Sequence, residues 1–219
     1  MQAVVNHYGA NVNVQYIRFG LGQAGTTFPA PGWNNTGNSC GLAFQTWGVT
    51  AATWESYLST MLGAEAATSS PKQLMVSLDA VGTPATAVPD YVAAAARGLQ
   101  IGFGPQALSV SDVNNCATAT ADWCNLFHNY EYQVPLEVQT VGPSCAPGET
   151  CSGNQAAAGP LPALLSYAAE NHSNIFEIYY EDWLLAYDPA FQSAMGVSAA
   201  TGASYLTALE TTAGGGYSR

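Results

Sequence analysis

Hydrophobic and polar residues alternate along this chain in segments of two kinds. Segments with an apolar residue at every second position are typical of strands, and segments with apolar residues three or four apart are typical of helices. The first kind predicts five strands, at 12–21, 73–80, 99–103, 134–141 and 174–183. The second kind predicts helices at 54–67, 90–97, 161–171 and 200–213, with a partly helical polar stretch at 109–127. This alternation predicts an α/β fold made of parallel βαβ units.

Each predicted strand has one apolar face and one face that carries polar residues or glycine. On the last strand, Phe176 and Ile178 share one face, while Glu177, Tyr179 and Glu181 share the other. A doubly wound sheet needs apolar residues on both faces, because helices cover both. A barrel needs them only on its outside, and it accepts polar residues inside near the carboxyl ends of the strands. The pattern therefore favours a parallel (β/α) barrel.

Five strands are fewer than the eight that close such a barrel. The chain has 219 residues with no shift in composition that marks a boundary, so we expect a single domain over 1–219. Its first residues have the pattern of the last turns of a helix ending at Gly9, and no secretion leader precedes them. We therefore expect an incomplete barrel, made of the last five βα units, with the N-terminal units missing.

The chain is acidic and poor in charged residues. Four Lys and Arg residues against 15 Asp and Glu give a formal net charge of −11, and charged residues make up 9% of the chain. Such a surface repels phosphate, which argues against nucleic acid and anionic membranes as partners. No apolar run approaches the roughly 20 residues that a membrane span needs. The composition therefore excludes nucleic-acid and membrane partners.

Five cysteines indicate an oxidising compartment. Cys116 and Cys124 flank one short segment, and Cys145 and Cys151 enclose the turn-forming Ala-Pro-Gly-Glu-Thr. We expect these two local disulfides with Cys40 unpaired; buried free thiols are the alternative reading of the same spacing. The expected localisation is therefore secreted or extracytoplasmic, although a cytosolic origin stays open because no leader is present.

Motifs for cofactors and metals are weak or missing. A glycine spacing of the dinucleotide-binding kind begins at Gly20, but the segment Thr-Thr-Phe-Pro-Ala-Pro-Gly follows it in place of a helix. The three histidines, His7, His128 and His172, stand in no metal-binding motif. The chain has neither G-x-S-x-G nor G-x-x-x-x-G-K. We therefore expect no cofactor and no metal.

Carboxylates on the polar strand faces are the candidate chemistry. Glu137 lies among apolar neighbours, Asp79 ends a strand, and Glu177, Glu181 and Asp182 lie on the last strand. A carboxylate inside a barrel is costly unless it is paired, so contacts with Arg18 and with polar side chains are the structural explanation. We favour that structural role for Glu177, which lies deep in its predicted strand. Glu137 and Glu181 lie nearer strand ends, where a role in a site is equally supported.

The chain resembles the C-terminal part of a secreted (β/α)8 glycoside hydrolase of the large retaining clan. The similar segments are Tyr-Ile-Arg-Phe-Gly-Leu-Gly, Pro-Leu-Glu-Val-Gln-Thr and Ile-Phe-Glu-Ile-Tyr-Tyr-Glu-Asp-Trp. The resemblance implies that these are barrel strands four, seven and eight. In that clan the acid/base ends strand four and the nucleophile ends strand seven. Glu137 matches the second position, whereas residues 23–26 supply no carboxylate at the first.

The resemblance implies a carbohydrate partner and, if the chain is active, hydrolysis of a glycosidic bond by paired carboxylates. Glu137 is then the nucleophile or base, and Glu181 supplies the second acid. The expected substrate-binding residues are Asp79, Gln139, Arg18, Tyr179, Trp183 and Trp47, the two tryptophans as stacking surfaces. Parallel strand order predicts that Glu137, Gln139, Asp79, Glu181 and Arg18 face one cavity. Two alternatives stay open, a non-catalytic carbohydrate-binding barrel and an inactive fragment of a larger hydrolase.

Overall fold

A computed structural model describes most of the chain. The described residues are 1–21, 43, 46–78, 87–105, 108–110, 122–145 and 158–214. The chain divides into two units, which are Met1–Pro105 with Tyr132–Pro135, and Gln106–Glu131 with Leu136–Arg219. They are called the first unit and the second unit below, and the single domain expected over 1–219 stays a prediction. Within the described residues, no helix combines the length and the apolar character that a membrane span requires.

The first unit is a three-stranded parallel sheet with helices between its strands. Its elements are α1 (Gln2–Tyr8), β1 (Tyr16–Phe19), α2 (Ala51–Ala66), β2 (Gln73–Leu78), α3 (Ala87–Gly98) and β3 (Gly102–Pro105). The strand order is β1-β2-β3, and all pairs are parallel. Helix α2 connects β1 to β2 and helix α3 connects β2 to β3, as parallel neighbours require. This confirms the predicted βαβ units.

The sheet of the first unit is buried on both faces of its central strand. Every residue from Leu74 to Leu78 is buried, including Met75 and Ser77. Gly102 is aligned with Met75, and a Cβ at Gly102 would collide with the Met75 sulfur and with the carbonyl oxygen of Pro135. The face of β2 that carries Met75 is therefore filled by a methionine that fits against a glycine.

The second unit contains two parallel strands and five helices among its described residues. Its elements are α4 (Asp122–Tyr130), β4 (Glu137–Gln139), α5 (Leu161–Glu170), β5 (Ile175–Glu177), α6 (Tyr180–Tyr187), α7 (Pro189–Ala194) and α8 (Ala199–Gly214). Strand β4 pairs with β5 so that Val138 lies beside Phe176 and Gln139 beside Glu177. Helix α5 makes the crossover between the two strands.

Helices of the second unit cover the apolar side of β5. The core cluster consists of Leu161, Leu165, Leu185, Ala186 and Tyr205, which come from α5, α6 and α8. Phe176 and Ile178 pack against this cluster. The predicted apolar face of the last strand is therefore confirmed, and Glu177 lies on the opposite side, since neighbouring residues of a strand alternate.

The last strand is shorter than the sequence predicts. Strand β5 ends at Glu177 and α6 begins at Tyr180, so the predicted strand at 174–183 is wrong beyond Glu177. Glu181 and Asp182 lie in the first turn of α6. Carboxylates are favourable there because the helix dipole is positive at that end. Glu181 and Trp183 therefore lie on a helix and not on a strand.

Four helix-to-strand connections share one backbone feature. Ser69, Gln100, Tyr132 and His172 have positive φ angles of 51°, 59°, 62° and 55°. Each follows one of α2, α3, α4 and α5 and precedes the next strand. A left-handed residue after a helix reverses the chain and completes the last hydrogen bonds. The same turn thus recurs in successive βα units.

The two described sheets have three and two strands. Neither closes on itself within the described ranges. The α/β fold with parallel sheets is therefore established, and the finer prediction of a barrel is not. An open sheet is consistent with the expected shortage of strands, which itself stays a prediction.

The cysteine predictions fall mostly outside the described residues. Cys145 is disulfide-bonded. The side chains of the other four cysteines lie outside the described part of the chain. The pairings Cys116–Cys124 and Cys145–Cys151, with Cys40 unpaired, therefore stay predictions, as does the secreted localisation that they suggest.

Candidate functional site

A pocket opens at the carboxyl ends of β4 and β5. Its volume is about 460 Å³. Six residues line it: Gln139, Phe176, Glu177, Ile178, Tyr179 and Tyr180. Ligands in α/β folds usually bind at the carboxyl edge of a parallel sheet, because the loops that follow the strands meet there. The position of this pocket makes it the candidate functional site of the second unit.

Gln139 and Glu177 stand side by side in this pocket. They are aligned partners in the β4–β5 register, and both are half-buried. Aligned residues of parallel strands point to the same face, about 4.8 Å apart across the sheet. A carboxamide donates and accepts hydrogen bonds, and a carboxylate accepts them. The pair therefore offers both partners that an alcohol hydroxyl needs.

Glu137 lies on the same face of β4, two residues before Gln139. It is only 1% exposed, and its aligned partner on β5 is Ile175. Its neighbours Leu136 and Val138 are also buried. The structure thus places the predicted nucleophile or base deeper in the sheet than Gln139, below the residues that line the pocket.

The other predicted residues of the second unit divide into two groups. Tyr179 lines the pocket as the residue before α6. Glu181 is exposed on α6, and Trp183 is 46% exposed on the same helix. Within the described part of the chain, neither Glu181 nor Trp183 belongs to the residues that line the pocket. The pocket therefore unites Gln139 with Tyr179 and leaves out the predicted second acid.

An aromatic stack continues from the pocket along α6. Tyr180 lines the pocket and stacks on Trp183, with ring centroids 6.2 Å apart. Trp183 stacks on Tyr187 at 4.9 Å. All three rings are exposed, Tyr180 most of all at 68%. Trp183 is thus part of an aromatic surface that begins at the pocket wall.

Three predicted site residues belong to the first unit. Arg18 is half-buried on β1, where its register partner is Met75. Trp47 is exposed before α2. Asp79 lies outside the described residues. The single cavity predicted for these residues together with Glu137 and Gln139 stays a prediction.

A fully buried hydrogen-bond network lies at the start of α6. Oδ1 of Asp182 accepts hydrogen bonds from the backbone N–H of Ser144, at 2.9 Å, and from the Ser144 hydroxyl. The hydroxyl oxygens of Ser144 and Tyr205 lie 2.7 Å apart. Since the Ser144 proton is directed to Asp182, the Tyr205 hydroxyl donates to Ser144. The network fastens the segment after β4 to α6 and α8.

Burial raises the pKa of the Asp182 carboxyl above its ordinary value. The hydrogen bonds from Ser144 and from the backbone of Tyr179 act in the opposite direction, and the nearby charge of Glu181 adds to the increase. The carboxylate is fully buried, and its Oδ1 accepts both of the hydrogen bonds that Ser144 donates. We assign it a structural role in holding the pocket's α6 wall.

A second polar group lies where the chain enters β4 and β5. Glu131 follows α4, and its Oε1 is 3.2 Å from Nδ1 of His128. Its Oε2 is 3.4 Å from Nε2 of His172, which precedes β5. Across the described ranges, no three His, Cys, Asp or Glu side chains are arranged to hold a metal ion. These residues form a cluster of His–Glu contacts at the edge opposite the pocket.

Sequence reasoning gives no binding role to Glu177 or Tyr180, which both line the pocket. Glu177 is taken as structural because the predicted strand continues to 183. With β5 ending at Glu177, this side chain stands at the carboxyl end of the strand. The signal that locates it is the pair Glu181-Asp182, since acidic residues before an apolar 3–4 pattern indicate a helix start.

Comparisons of the chain with protein-family models, curated proteins and solved structures find no match. The resemblance to glycoside hydrolases therefore stays an expectation from the sequence. A proposal for the function accordingly depends on the pocket and its side chains.

Proposed function

We propose that this chain binds a carbohydrate in the pocket at the carboxyl ends of β4 and β5 and hydrolyses a glycosidic bond there. The observation that carries the proposal is the alignment of Gln139 with Glu177 in the pocket wall. Their amide and carboxylate match the donors and acceptors of neighbouring sugar hydroxyls. Tyr179 and Tyr180 add phenol groups and ring surfaces of the kind that pack against sugars.

We further propose that the fold is an incomplete (β/α) barrel of the glycoside hydrolase type. Three observations support it: the parallel strands alternate with helices, the same left-handed turn precedes four strands, and the pocket opens at the carboxyl ends of strands. The net charge of −11 and the disulfide at Cys145 fit a secreted protein with a neutral ligand. Glu137, on the strand that holds Gln139, is the proposed nucleophile or base.

A second candidate function is carbohydrate binding without catalysis. The observation that favours it is the position of the two carboxylates predicted to be catalytic. Glu137 is 1% exposed, and Glu181 is exposed on α6 outside the set of described residues that line the pocket. A pocket with these two groups so placed would hold a sugar without cleaving it.

Glu137→Gln separates the two functions. We measure binding on an array of neutral glycans and hydrolysis with a panel of 4-methylumbelliferyl glycosides in both anomeric forms. If Glu137 acts on the bond, its loss should lower kcat by about 10²–10⁴-fold, because Gln cannot accept a proton or attack as a carboxylate. Glycan binding and the unfolding free energy should change little, since Gln preserves the volume of the buried side chain.

Glu210→Gln changes an exposed residue on α8 and is the matched control. It should leave both glycan binding and hydrolysis unchanged. Binding by the wild-type chain without hydrolysis would establish the second candidate. Absence of both binding and hydrolysis across the array and the panel would reject the carbohydrate proposal.

A further inference from the structure

We infer that Glu177 is the second catalytic carboxylate of this site and acts with Glu137 as the acid that Glu181 was expected to supply. The inference rests on the proposed function. It is carried by the register of β4 and β5, by the lining of the pocket and by the position of α6.

Of the three carboxylates on the last predicted strand, Glu177, Glu181 and Asp182, only Glu177 lines the pocket within the described residues. It ends β5 beside Gln139, next to Tyr179 and Tyr180. Glu181 is exposed in the first turn of α6. A ligand that contacts Gln139 therefore meets Glu177 first, because these two side chains share one face of the sheet.

The register also gives the spacing between the two carboxylates. Glu137 is aligned with Ile175, so Glu177 is one strand across and two residues along. With about 4.8 Å between strands and about 6.6 Å for two residues, their Cβ atoms are about 8 Å apart. Inverting glycosidases hold their carboxyl groups roughly 6.5–9.5 Å apart, whereas retaining ones hold them roughly 5–5.5 Å apart. With the two side chains extending in parallel from the same face, we expect their carboxyl groups to keep about this separation, which leaves room for a water molecule and predicts inversion.

The proposed function makes Glu137 the base, and Glu137 lies below the residues that line the pocket. Its carboxylate takes a proton from a water molecule beneath the sugar while the water oxygen bonds to the anomeric carbon. The bond between that carbon and the leaving oxygen breaks, and the Glu177 carboxylic acid gives its proton to that oxygen. The leaving group departs through the open mouth of the pocket. One proton is taken and one is given, and exchange with solvent restores the pair.

The test compares Glu177→Gln with Glu181→Gln, which makes the same chemical change on α6. The substrates are two glycosides of whichever sugar the umbelliferyl panel identifies, one with a methyl and one with a 2,4-dinitrophenyl leaving group. Loss of the acid should lower kcat on the methyl glycoside by about 10²–10⁴-fold. The dinitrophenyl glycoside should lose much less, because its leaving group needs no proton. A purely structural role would affect both substrates equally.

Proton NMR of the first product should show the inverted anomer. Glu181→Gln should stay within twofold of the wild-type kcat on both substrates. Should Glu177→Gln unfold, Glu177→Asp keeps the acid and should show the same dependence on the leaving group to a smaller degree.

If Glu177→Gln keeps the wild-type kcat on the methyl glycoside, the inference is overturned while the proposed hydrolysis stands. The same holds if Glu181→Gln, and not Glu177→Gln, loses this kcat. A retained anomer would overturn the water-mediated step. A wild-type chain that cleaves no glycoside of the panel would reject the proposed hydrolysis itself, and this inference with it.

Discussion

The two parallel sheets differ at the corresponding strand face. In the first unit this face is filled by a buried side chain, and in the second unit it is open to a pocket. In the first unit, the register aligns Arg18, Met75 and Gly102 in one row across the sheet. Met75 is completely buried. In the second unit, the row formed by Gln139 and Glu177 is half-buried and lines a pocket of about 460 Å³. Both rows belong to the faces that strand alternation marks as polar or glycine-containing.

This difference shows that the alternation of polar and apolar residues along a strand does not determine whether its polar face is filled or open. A strand face that carries polar residues or glycine is filled when a flexible side chain fits against the glycine, as Met75 does against Gly102. It stays open when aligned polar residues stand at the ends of their strands, where the sheet no longer continues beyond them. The position of a residue along its strand therefore decides whether a polar face becomes a site.

Met75→Ala is expected to have the largest effect on this comparison. Removal of a completely buried methionine side chain leaves a cavity beside Gly102 and should lower the unfolding free energy by about 2–5 kcal/mol. Urea denaturation of the whole chain measures the change. Met195→Ala, which truncates an exposed methionine, is the control and should stay within about 0.5 kcal/mol. Equal and small effects at both positions would show that the face of β2 that carries Met75 is not filled.

The strands and their parallel direction could be predicted from the sequence because they depend on local patterns. Apolar residues at every second position identify the strands, and helices between them require parallel pairing. The shared face of Phe176 and Ile178 follows from the same rule and is confirmed by their packing against the helices. These features need no knowledge of which strand lies beside which.

The site could be predicted only in part, because its geometry depends on register and on one element boundary. Gln139 and Tyr179 were expected to bind substrate and do line the pocket. The end of β5 was placed too late, which put Glu181 on a strand and left Glu177 in the middle of it. The alignment of Gln139 with Glu177 joins residues 38 positions apart, and no pattern within either strand specifies it.

Gly102→Ala tests the same contact, between Met75 on β2 and Gly102 on β3, by a change on β3. The added Cβ would collide with the Met75 sulfur and with the Pro135 carbonyl oxygen, and backbone cannot move away as easily as a side chain. We expect the unfolding free energy to fall by about 1–3 kcal/mol in urea denaturation.

Gly63→Ala is the matched control for Gly102→Ala and should change the unfolding free energy in the opposite direction. Gly63 lies inside α2 with no atom near the position of an added Cβ. Alanine is the better helix former there, so stability should rise by about 0.5–1 kcal/mol. Destabilisation by both substitutions would show that the close approach at Gly102 is not the cause.

Replacement of Asp182, the buried carboxylate of the second unit discussed above, is expected to have the smallest effect on the unfolding free energy, and this effect depends on pH. The pKa of Asp182 is raised above its ordinary value, chiefly by burial. The folded chain therefore takes up this proton at a higher pH than the unfolded chain. As pH falls from neutral through the raised pKa, the unfolding free energy of the wild type should increase relative to that of Asp182→Asn. The gain should level off once the pH is below the ordinary Asp pKa of the unfolded chain.

Urea denaturation of both proteins at a series of pH values measures this difference in unfolding free energy. The contributions of the other carboxylates cancel, because both proteins carry them. Glu181→Gln sharpens the test, because the charge of Glu181 contributes to the raised pKa of Asp182. Removal of that charge should shrink the pH-dependent gain without abolishing it. A difference that is flat with pH would show that the Ser144 hydrogen bonds cancel the effect of burial. A difference that favours Asp182→Asn as the pH falls would show that these hydrogen bonds outweigh burial. The carboxylate at the start of α6 would then be held in its charged form.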